Sequence, residues 1–380
     1  MYEIWLRTPG GAFLAALDTL VSCVYARSEN DIGELVLTVP ADACDPGIFQ
    51  PFGQILVQKS VDGSSFYTDL ETTWFILDGP TETLADDGTR LLRVECLDAL
   101  GLILNSRNVA YNDNNEFTYK LDEADDMCKA VVRENMGSLA TDTDRDLSNY
   151  LNVAANVAAA PIIRFGSFAR QQVLDVLQDI ADASAQDDTP TWLGFDIVLI
   201  DNQTGLLEFR TYTGQRGNDH SFPNGNPPLI LSTDVGNLSR VESGRLYRNA
   251  HSVIYAGGAG VGDIRPITSR ENAEMLALSP FSRVEKFVDG GQIADVDSLA
   301  EFARSELEKA RPRQFITGTI TETADAVRGV HWDYGDVVAG YDEGITFNAR
   351  VDKIAVTIEA AQGGGLIDHV EAHLRGEENV

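Results

Sequence analysis

The sequence predicts an α+β fold that is mainly β, with two similar antiparallel β-barrel or sandwich domains and an α/β region between them. Three observations predict this class. Turn-bounded β-prone runs fill both ends of the chain, helical periodicity is concentrated in the middle, and one strand-and-turn pattern occurs twice. Because 380 residues exceed the size at which one core stops growing, we expect a first β domain at residues 1–105, an α/β domain at 106–228 and a second β domain with one helix at 229–380.

Residues 1–105 contain short runs typical of antiparallel strands. Tyr2, Ile4 and Leu6 alternate with other residues at the N-terminus, which predicts a strand rather than an export signal or a membrane anchor. The later β-prone runs end at turn residues such as Asp87-Gly88. We predict strands at residues 35–39, 54–57, 73–77 and 91–97. This spacing favours a barrel or a sandwich.

The middle of the chain changes to a helical period. One helix is predicted over residues 121–136, and a second helix ends at Thr189-Pro190. A hairpin over residues 195–209 follows. The Gly-, Pro- and Asn-rich stretch at residues 214–228 predicts a domain junction.

From about residue 229 the pattern returns to β, with one helix that Asp297 is expected to cap. We predict strands at residues 315–323, 336–340, 346–358 and 366–374. One stretch of this region, YGDVVA at residues 334–339, echoes FGQILV at residues 52–57 of the first domain.

Each copy of this echo continues through an acidic-Gly turn and a longer strand to a glycine turn. The first glycine and the last turn glycine are 35 residues apart in one copy, from 53 to 88, and 30 apart in the other, from 335 to 365. Any hairpin needs alternation and Gly turns, so unrelated hairpins remain an alternative. The shared order of four features favours a duplicated β module.

The repeated patterns supply a set of residues that we expect to mark the fold and its assembly. The set is Phe52, Gly53, Trp74, Trp332, Tyr334, Gly335, Asp336, Gly344 and Arg350. The aromatic rings are expected to be core or interface anchors rather than sugar-stacking groups. Asp336 is expected to fix the turn into its strand, and Arg350 to be exposed or paired with an acid across the sheet.

Both ends of the chain resemble tail-hub, or baseplate-hub, proteins of long-tailed bacteriophages and related injection systems. The C-terminal half of the resemblance runs through ITGTITET, HWDYGDVV, FNARVDKIAVTI and a strand ending HLRGEE. The first domain is similar through ENDIGELVLTVPADA, FGQILVQK and TTWFILDGP. The resemblance implies a homotrimer whose six β domains form a pseudo-sixfold ring around a DNA channel.

The resemblance also implies partners, a location and the absence of a cofactor. The partners would be the tail tube or distal tail protein, a tape-measure protein, and tip, fibre or receptor-binding proteins. DNA would pass through transiently and without sequence specificity. The protein would be assembled in the host cytoplasm and reside in the virion at the tail tip.

The net charge of −30, from 59 acids and 29 bases, argues against tight binding of nucleic acid. Solubility is one explanation of this charge. A channel wall lined with carboxylates, along which DNA phosphates would slide without adsorbing, is the other.

Candidate chemical sites have ordinary structural interpretations. His369, Glu371 and His373 alternate as on a strand and lack the HExxH order of a zinc helix. Residues 142–146 lack the glycine of a calcium loop, and the glycines at 257–262 are expected at a hairpin tip. Four cysteines without a CxxC pair are expected to be reduced thiols. We therefore predict no enzyme, metal or cofactor.

Two alternatives to a hub remain open at this point. One is a glycan-binding or cell-wall-degrading tail enzyme, because two of the many acids could meet in space. The other is a different tail ring component, such as the distal tail protein.

Overall fold

The computed structural model shows a mainly β chain and confirms the α+β class. It describes residues 1–85, 88–110, 119–166, 168, 170–185, 191–221, 229–248, 250–342, 345–361 and 365–376. The predicted turn residues Asp87 and Gly344 and the helix stop at Thr189-Pro190 lie outside these ranges. The four cysteines are free thiols. None of the described helices has both the length and the apolarity needed to cross a membrane.

The first β region contains every strand that the sequence predicts there. Its strands are β1 (Tyr2–Arg7), β2 (Phe13–Ala16), β3 (Ser22–Ser28), β4 (Glu34–Pro40), β5 (Gln54–Lys59), β6 (Tyr67–Thr68), β7 (Trp74–Ile76), β8 (Thr81–Leu84) and β9 (Arg90–Asp98). More buried and more exposed residues alternate along β3, β4 and β9. Each of these strands therefore has one face in the core and one toward solvent.

The middle region combines two helices with short strands. Its elements are β10 (Tyr119–Glu123), α1 (Ala124–Met136), β11 (Leu151–Val153), β12 (Ile162–Gly166), α2 (Val173–Ser184), β13 (Leu193–Asp201) and β14 (Leu206–Thr213). The predicted start of the first helix at residue 121 is wrong, because residues 119–123 pair with β12 as a strand. The predicted hairpin is the antiparallel pair of β13 and β14.

The last region is again rich in strands. Its elements are β15 (Asp219–His220), β16 (Ile230–Ser232), β17 (Leu238–Leu246), β18 (Val253–Gly257), β19 (Ile267–Glu271), α3 (Ala273–Ala277), β20 (Glu285–Asp289), α4 (Val296–Lys309), β21 (Arg313–Ile320), β22 (Val337–Asp342), β23 (Ile345–Ala360) and β24 (Leu366–Gly376). The stretch at 257–262 joins antiparallel β18 and β19, so the hairpin interpretation is confirmed.

The cap of α4 differs from the prediction. The Asp295 side chain, not that of Asp297, accepts a hydrogen bond from the backbone N–H of Ser298 at 2.8 Å. The helix therefore begins at Val296, and the predicted cap lies within its first turn.

The two β regions are joined in one sheet. The strand order is β17-β21-β24-β23-β3-β4-β9-β7-β5-β1-β2, with shorter strands beside this path. The joint is the antiparallel pair of β23 and β3, in which Thr357 lies opposite Val24. Among the residues described here, this path does not close, so the two separate barrels are not confirmed.

The same antiparallel order of strands occurs on both sides of this joint. In the first region the order is β3-β4-β9-β7-β5. In the last region it is β17-β21-β24-β23-β22. The five strands of each set also follow the same order along the chain. The sixth position differs, because β1 pairs with β5 antiparallel whereas β16 pairs with β22 in parallel.

The largest hydrophobic core spans the joint. Tyr25 and Trp74 from the first region share it with Trp332 and Val356 from the last. A second core fills the middle region between α1, α2 and the β13–β14 hairpin, and a third lies under α4. Since each large apolar side chain buried in this way stabilises the fold by about 1.5–3 kcal/mol, the ends of the chain stabilise each other.

Candidate assembly surface

The two tryptophans of the signature set lie inside the shared core. Trp74 is 0% exposed and Trp332 is 2% exposed. The ring centroid of Trp74 lies 5.7 Å from that of Tyr25, and the Trp332 indole N–H donates to the carbonyl oxygen of Ala326 at 3.3 Å. Neither ring is available to stack on a sugar in this chain.

The two aromatic-Gly pairs of the echo have different backbone conformations. Phe52 has a φ of 64° and is 56% exposed, whereas in the other pair the positive φ of 88° belongs to Gly335. A Cβ at Gly335 would lie 2.7 Å from the Arg216 side chain, and one at Gly53 would lie 2.8 Å from the Gln50 carbonyl oxygen. Close approach requires glycine at both positions, but by different geometry.

Asp336 ties its turn to the end of the middle region. Its carboxylate accepts hydrogen bonds from the backbone N–H groups of Asp333 at 2.7 Å and Asn218 at 2.6 Å. Burial raises the pKa of Asp336 above the usual value of an aspartate. The side chain thus joins the two segments that lead into β15 and β22.

Arg350 is buried, so the expectation that it is exposed is wrong. It is 7% exposed, its guanidinium lies 3.9 Å from the centre of the Trp192 ring, and it donates to the Gly214 carbonyl oxygen at 3.2 Å. Its Nη1 atom also lies 3.8 Å from the Glu29 carboxylate. The middle region covers it, which a strand pattern alone cannot reveal.

A buried group of charges, here the Arg27 cluster, connects all three regions. It consists of Arg27 on β3, Asp98 on β9, Asp196 on β13, Arg216 after β14 and Tyr334 before β22. Arg27 donates to Asp98 at 3.3 Å and to Asp196 at 3.1 Å, and Arg216 donates to Asp196 at 2.5 Å. The Tyr334 ring lies 5.9 Å from the Arg27 guanidinium and 4.8 Å from that of Arg216.

The pKa values of the two acids in this cluster are shifted in opposite directions. Burial raises the pKa of Asp98 to about 6, although Arg27 opposes the shift. Burial would also raise the pKa of Asp196, but Arg27 and Arg216 together hold it below its usual value. Asp196 therefore carries its negative charge at the centre of the junction.

A second buried group, the Arg328 cluster, lies between the first and last β regions. Arg328 forms an ion pair with Asp69, and the Asp69 carboxylate also accepts a hydrogen bond from the Tyr25 hydroxyl. The Lys59 ammonium donates to the Arg328 carbonyl oxygen at 3.1 Å. Side chains from β3, β5 and the turn before β22 thus fix one face of the sheet against the loops that cover it.

Reasoning from the sequence missed both clusters. Their members are far apart along the chain, and a single sequence carries no signal for such pairs. One clue was available: Asp196 interrupts the apolar run LGFDIVLI, where a charged residue needs a buried partner.

The sheet has an outer face that carries charges of both signs. It alternates with the core face along β3, β4, β9, β23 and β24. Its charged residues include Arg93, Lys353 and Arg375 beside Glu34, Glu95, Glu359 and Glu371. His369 and His373 lie on this face of β24, which confirms the strand interpretation of that segment. Acids outnumber bases about two to one in the whole chain, but not on this face of the sheet.

Among the described strands of the main sheet that pair with a single neighbour are β8 and β17. β8 pairs with β9 alone, and β17, at the end of the strand path, pairs with β21. All four residues of β8 are exposed, including Leu84 at 72%. Unpaired edges offer backbone N–H and C=O groups to another strand.

Comparison with known protein families gives one match over nearly the whole chain. The family model described as "Siphovirus ReqiPepy6 Gp37-like protein" matches residues 3–366. No curated protein matches the chain in sequence.

Several solved structures share the fold. The tail protein from Neisseria meningitidis MC58 has 15% identity and a TM-score of 0.55, with coverage of 98% of this chain and 96% of that one. The 43 kDa tail protein of prophage MuSo2 from Shewanella oneidensis has 12% identity and a TM-score of 0.55, with 98% of each chain covered. The prophage tail protein gp18 from Listeria monocytogenes EGD-e has 9% identity and a TM-score of 0.51, with coverage of 100% and 95%. With the family match, these likenesses confirm the resemblance to phage tail proteins.

Proposed function

We propose a hub role for this chain from the premise that it belongs to the Siphovirus ReqiPepy6 Gp37-like family and is a structural protein of a phage tail. In this role three copies form a ring with six similar β units at the tail tip. The ring joins the tail tube, or the distal tail protein, to the tip and fibre proteins. A tape-measure protein and then DNA would occupy its centre.

One observation carries this proposal: the five-strand order that occurs twice in one chain. A tube built from six identical subunits ends in a sixfold ring, and a chain with two similar units can match it as a trimer. The β23–β3 pair supports the idea further, because it holds the two units of one chain side by side in one sheet.

The small α/β segment that contains α4 offers a surface for other tail proteins. The side chains of Val261, Ile264 and Phe281 are exposed by 78%, 79% and 92%. Contiguous exposed apolar patches mark protein contacts, whereas single exposed apolar side chains are ordinary. We assign the tip or fibre proteins to this surface.

The outer face of the sheet is the candidate for the channel wall. Its mixture of acids and bases neither attracts DNA strongly nor forms the carboxylate wall expected from the net charge. In this proposal DNA passes without adsorption because the two signs balance locally.

The proposal is tested by stoichiometry and location. Native mass spectrometry of the purified full chain should give a trimer over a range of concentrations. An antibody against an epitope tag on this chain should label the tail tip of intact particles. A mass of six copies, or label along the tube, would instead favour a tube or distal ring protein. Hydrolysis of peptidoglycan by the purified chain would favour the enzyme.

A further inference from the structure

The strands β8 and β17, each with an open edge, correspond to the two strands that pair at the joint within the chain. β8 corresponds to the end of β23, and β17 corresponds to β3. β8 and β9 are joined by a turn in which the Ala85 N–H donates to the Thr89 carbonyl oxygen at 2.8 Å. β23 and β24 are joined by a turn of the same span, in which the Ala361 N–H donates to the Gly365 carbonyl oxygen at 3.0 Å. β8 therefore corresponds to the last four residues of β23.

This turn sets a residue-by-residue equivalence. Thr81 lies opposite Arg93 on β9, and Thr357 lies opposite His369 on β24. Thr81 precedes Ala85 by the same number of residues as Thr357 precedes Ala361. Thr81 is thus the equivalent of Thr357. Within the chain, Thr357 lies opposite Val24 on its other side.

The equivalent of Val24 in the last region is found in the same way. Val24 lies opposite Val36, which lies opposite Glu95. Ser239 lies opposite Thr319, which lies opposite Glu371. Because Glu95 and Glu371 stand at the same distance from their turns, Ser239 occupies the position of Val24.

We propose that β8 of one chain pairs antiparallel with β17 of the next chain, with Thr81 opposite Ser239. This pairing rests on the proposed ring, and its occupant is a second copy of the chain. It repeats between chains the contact that β23 and β3 make within one chain. A trimer would then contain six equivalent joints, three within chains and three between them.

The edge of β8 suits this pairing, and the irregularity in β17 lies on the far side of Ser239, between Ser239 and Glu242. β8 reads Thr-Glu-Thr-Leu, without the proline, lysine or bulge that usually protects an exposed edge, and its Leu84 is 72% exposed. Ser239 is exposed, whereas the neighbouring Leu238 is 2% exposed and holds β17 against the core. A strand that pairs with this edge would therefore bind a strand that is already held in place by the core.

The test is a disulfide between chains in the variant Thr81→Cys/Ser239→Cys. Directly opposite residues have Cβ atoms about 4.5–5.5 Å apart, close to the separation in a disulfide, whereas diagonal neighbours are about 7–8 Å apart. The purified oligomer, oxidised with diamide, should give covalent dimers and trimers in denaturing gels without reductant. The matched variant Thr83→Cys/Ser239→Cys, displaced by two residues on the same strand face, should cross-link at least tenfold more slowly.

Single-cysteine variants and the unchanged chain, whose Cys23, Cys96 and Cys128 are buried, control for other thiols. A trimer that forms normally but gives no faster cross-linking in the Thr81 variant than in the Thr83 variant would overturn the edge pairing and leave the hub role standing. A chain that stays monomeric at all concentrations would contradict the hub role itself.

Discussion

At the scale of single residues, the fold is held by buried charges that the sequence pattern does not reveal. Arg27, Asp196 and Arg216 come from three separate segments and are each nearly excluded from solvent. A buried pair contributes little net stability, but removal of one partner leaves an uncompensated charge. The Arg27 cluster therefore specifies how the middle region sits against the sheet.

Asp196→Asn is expected to destabilise the protein by about 3 kcal/mol, because two buried guanidinium groups lose their shared carboxylate. The matched control is Glu95→Gln, which breaks an exposed pair at 2.9 Å with Arg93 and should change stability by less than about 0.5 kcal/mol. Urea denaturation at fixed protein concentration measures both. Equal effects of the two substitutions would contradict the role assigned to the cluster.

Glu29 gives the fold a dependence on pH. Burial raises its pKa from 4.5 to about 7, although Arg350 opposes the shift. Between these two pH values the folded state holds more protons than the unfolded state, so this group's contribution to the free energy of unfolding falls as the pH rises.

Glu29→Gln, which resembles the protonated acid, should remove this contribution. Denaturation at pH 5 and pH 7.5 should show a smaller loss of stability in the variant than in the unchanged chain, by about 2 kcal/mol. The pKa of Asp98 is also raised, to about 6. Because Asp98 is present in both proteins, its contribution cancels in the comparison. If the free energy of unfolding changed by the same amount between pH 5 and pH 7.5 in both proteins, Glu29 would be ionised in the folded protein, which contradicts the prediction.

At the scale of elements, alternation and turn residues predicted most strands because the main sheet has one buried and one exposed face. β4, β9 and β24 show that alternation directly. The errors occur where tertiary contacts decide. Residues 119–123 extend along β12 instead of starting a helix, and Arg350 is covered by Trp192 from a distant segment.

The candidate assembly surface was partly visible in the sequence. The doubled pattern around Gly53 and Gly335 led to the two strand sets, which the sheet order matches. The joint between β23 and β3 could not be predicted, because a single sequence does not show which distant strands pair. The open edges of β8 and β17 follow only once that joint is known.

The cap of α4 offers a test at this scale. Asp295→Ala should destabilise the helix by about 1 kcal/mol, because its carboxylate accepts the Ser298 N–H. Asp297→Ala, the control suggested by the sequence, should cost a few tenths at most. Hydrogen exchange of the amides in the first turn of α4 measures both. Faster exchange in the Asp297 variant than in the Asp295 variant would restore the original assignment.

At the scale of the whole molecule, the chain belongs to its family by sequence and shares its fold with solved phage tail proteins. Its two strand sets lie side by side in one sheet and share one core. A head-to-tail repeat of the same contact between chains closes a ring if the rotation allows it. In the proposed hub, three copies joined by this contact would present six similar units around the axis.

Reconstruction of the assembled tail tip by electron cryomicroscopy, without imposed symmetry, tests the doubled module most directly. We predict three copies of the chain around the axis. Rotation by one sixth of a turn should superpose β3, β4, β5, β7 and β9 on β17, β21, β22, β23 and β24, respectively. A threefold ring in which these two strand sets occupy unrelated radii or orientations would contradict it.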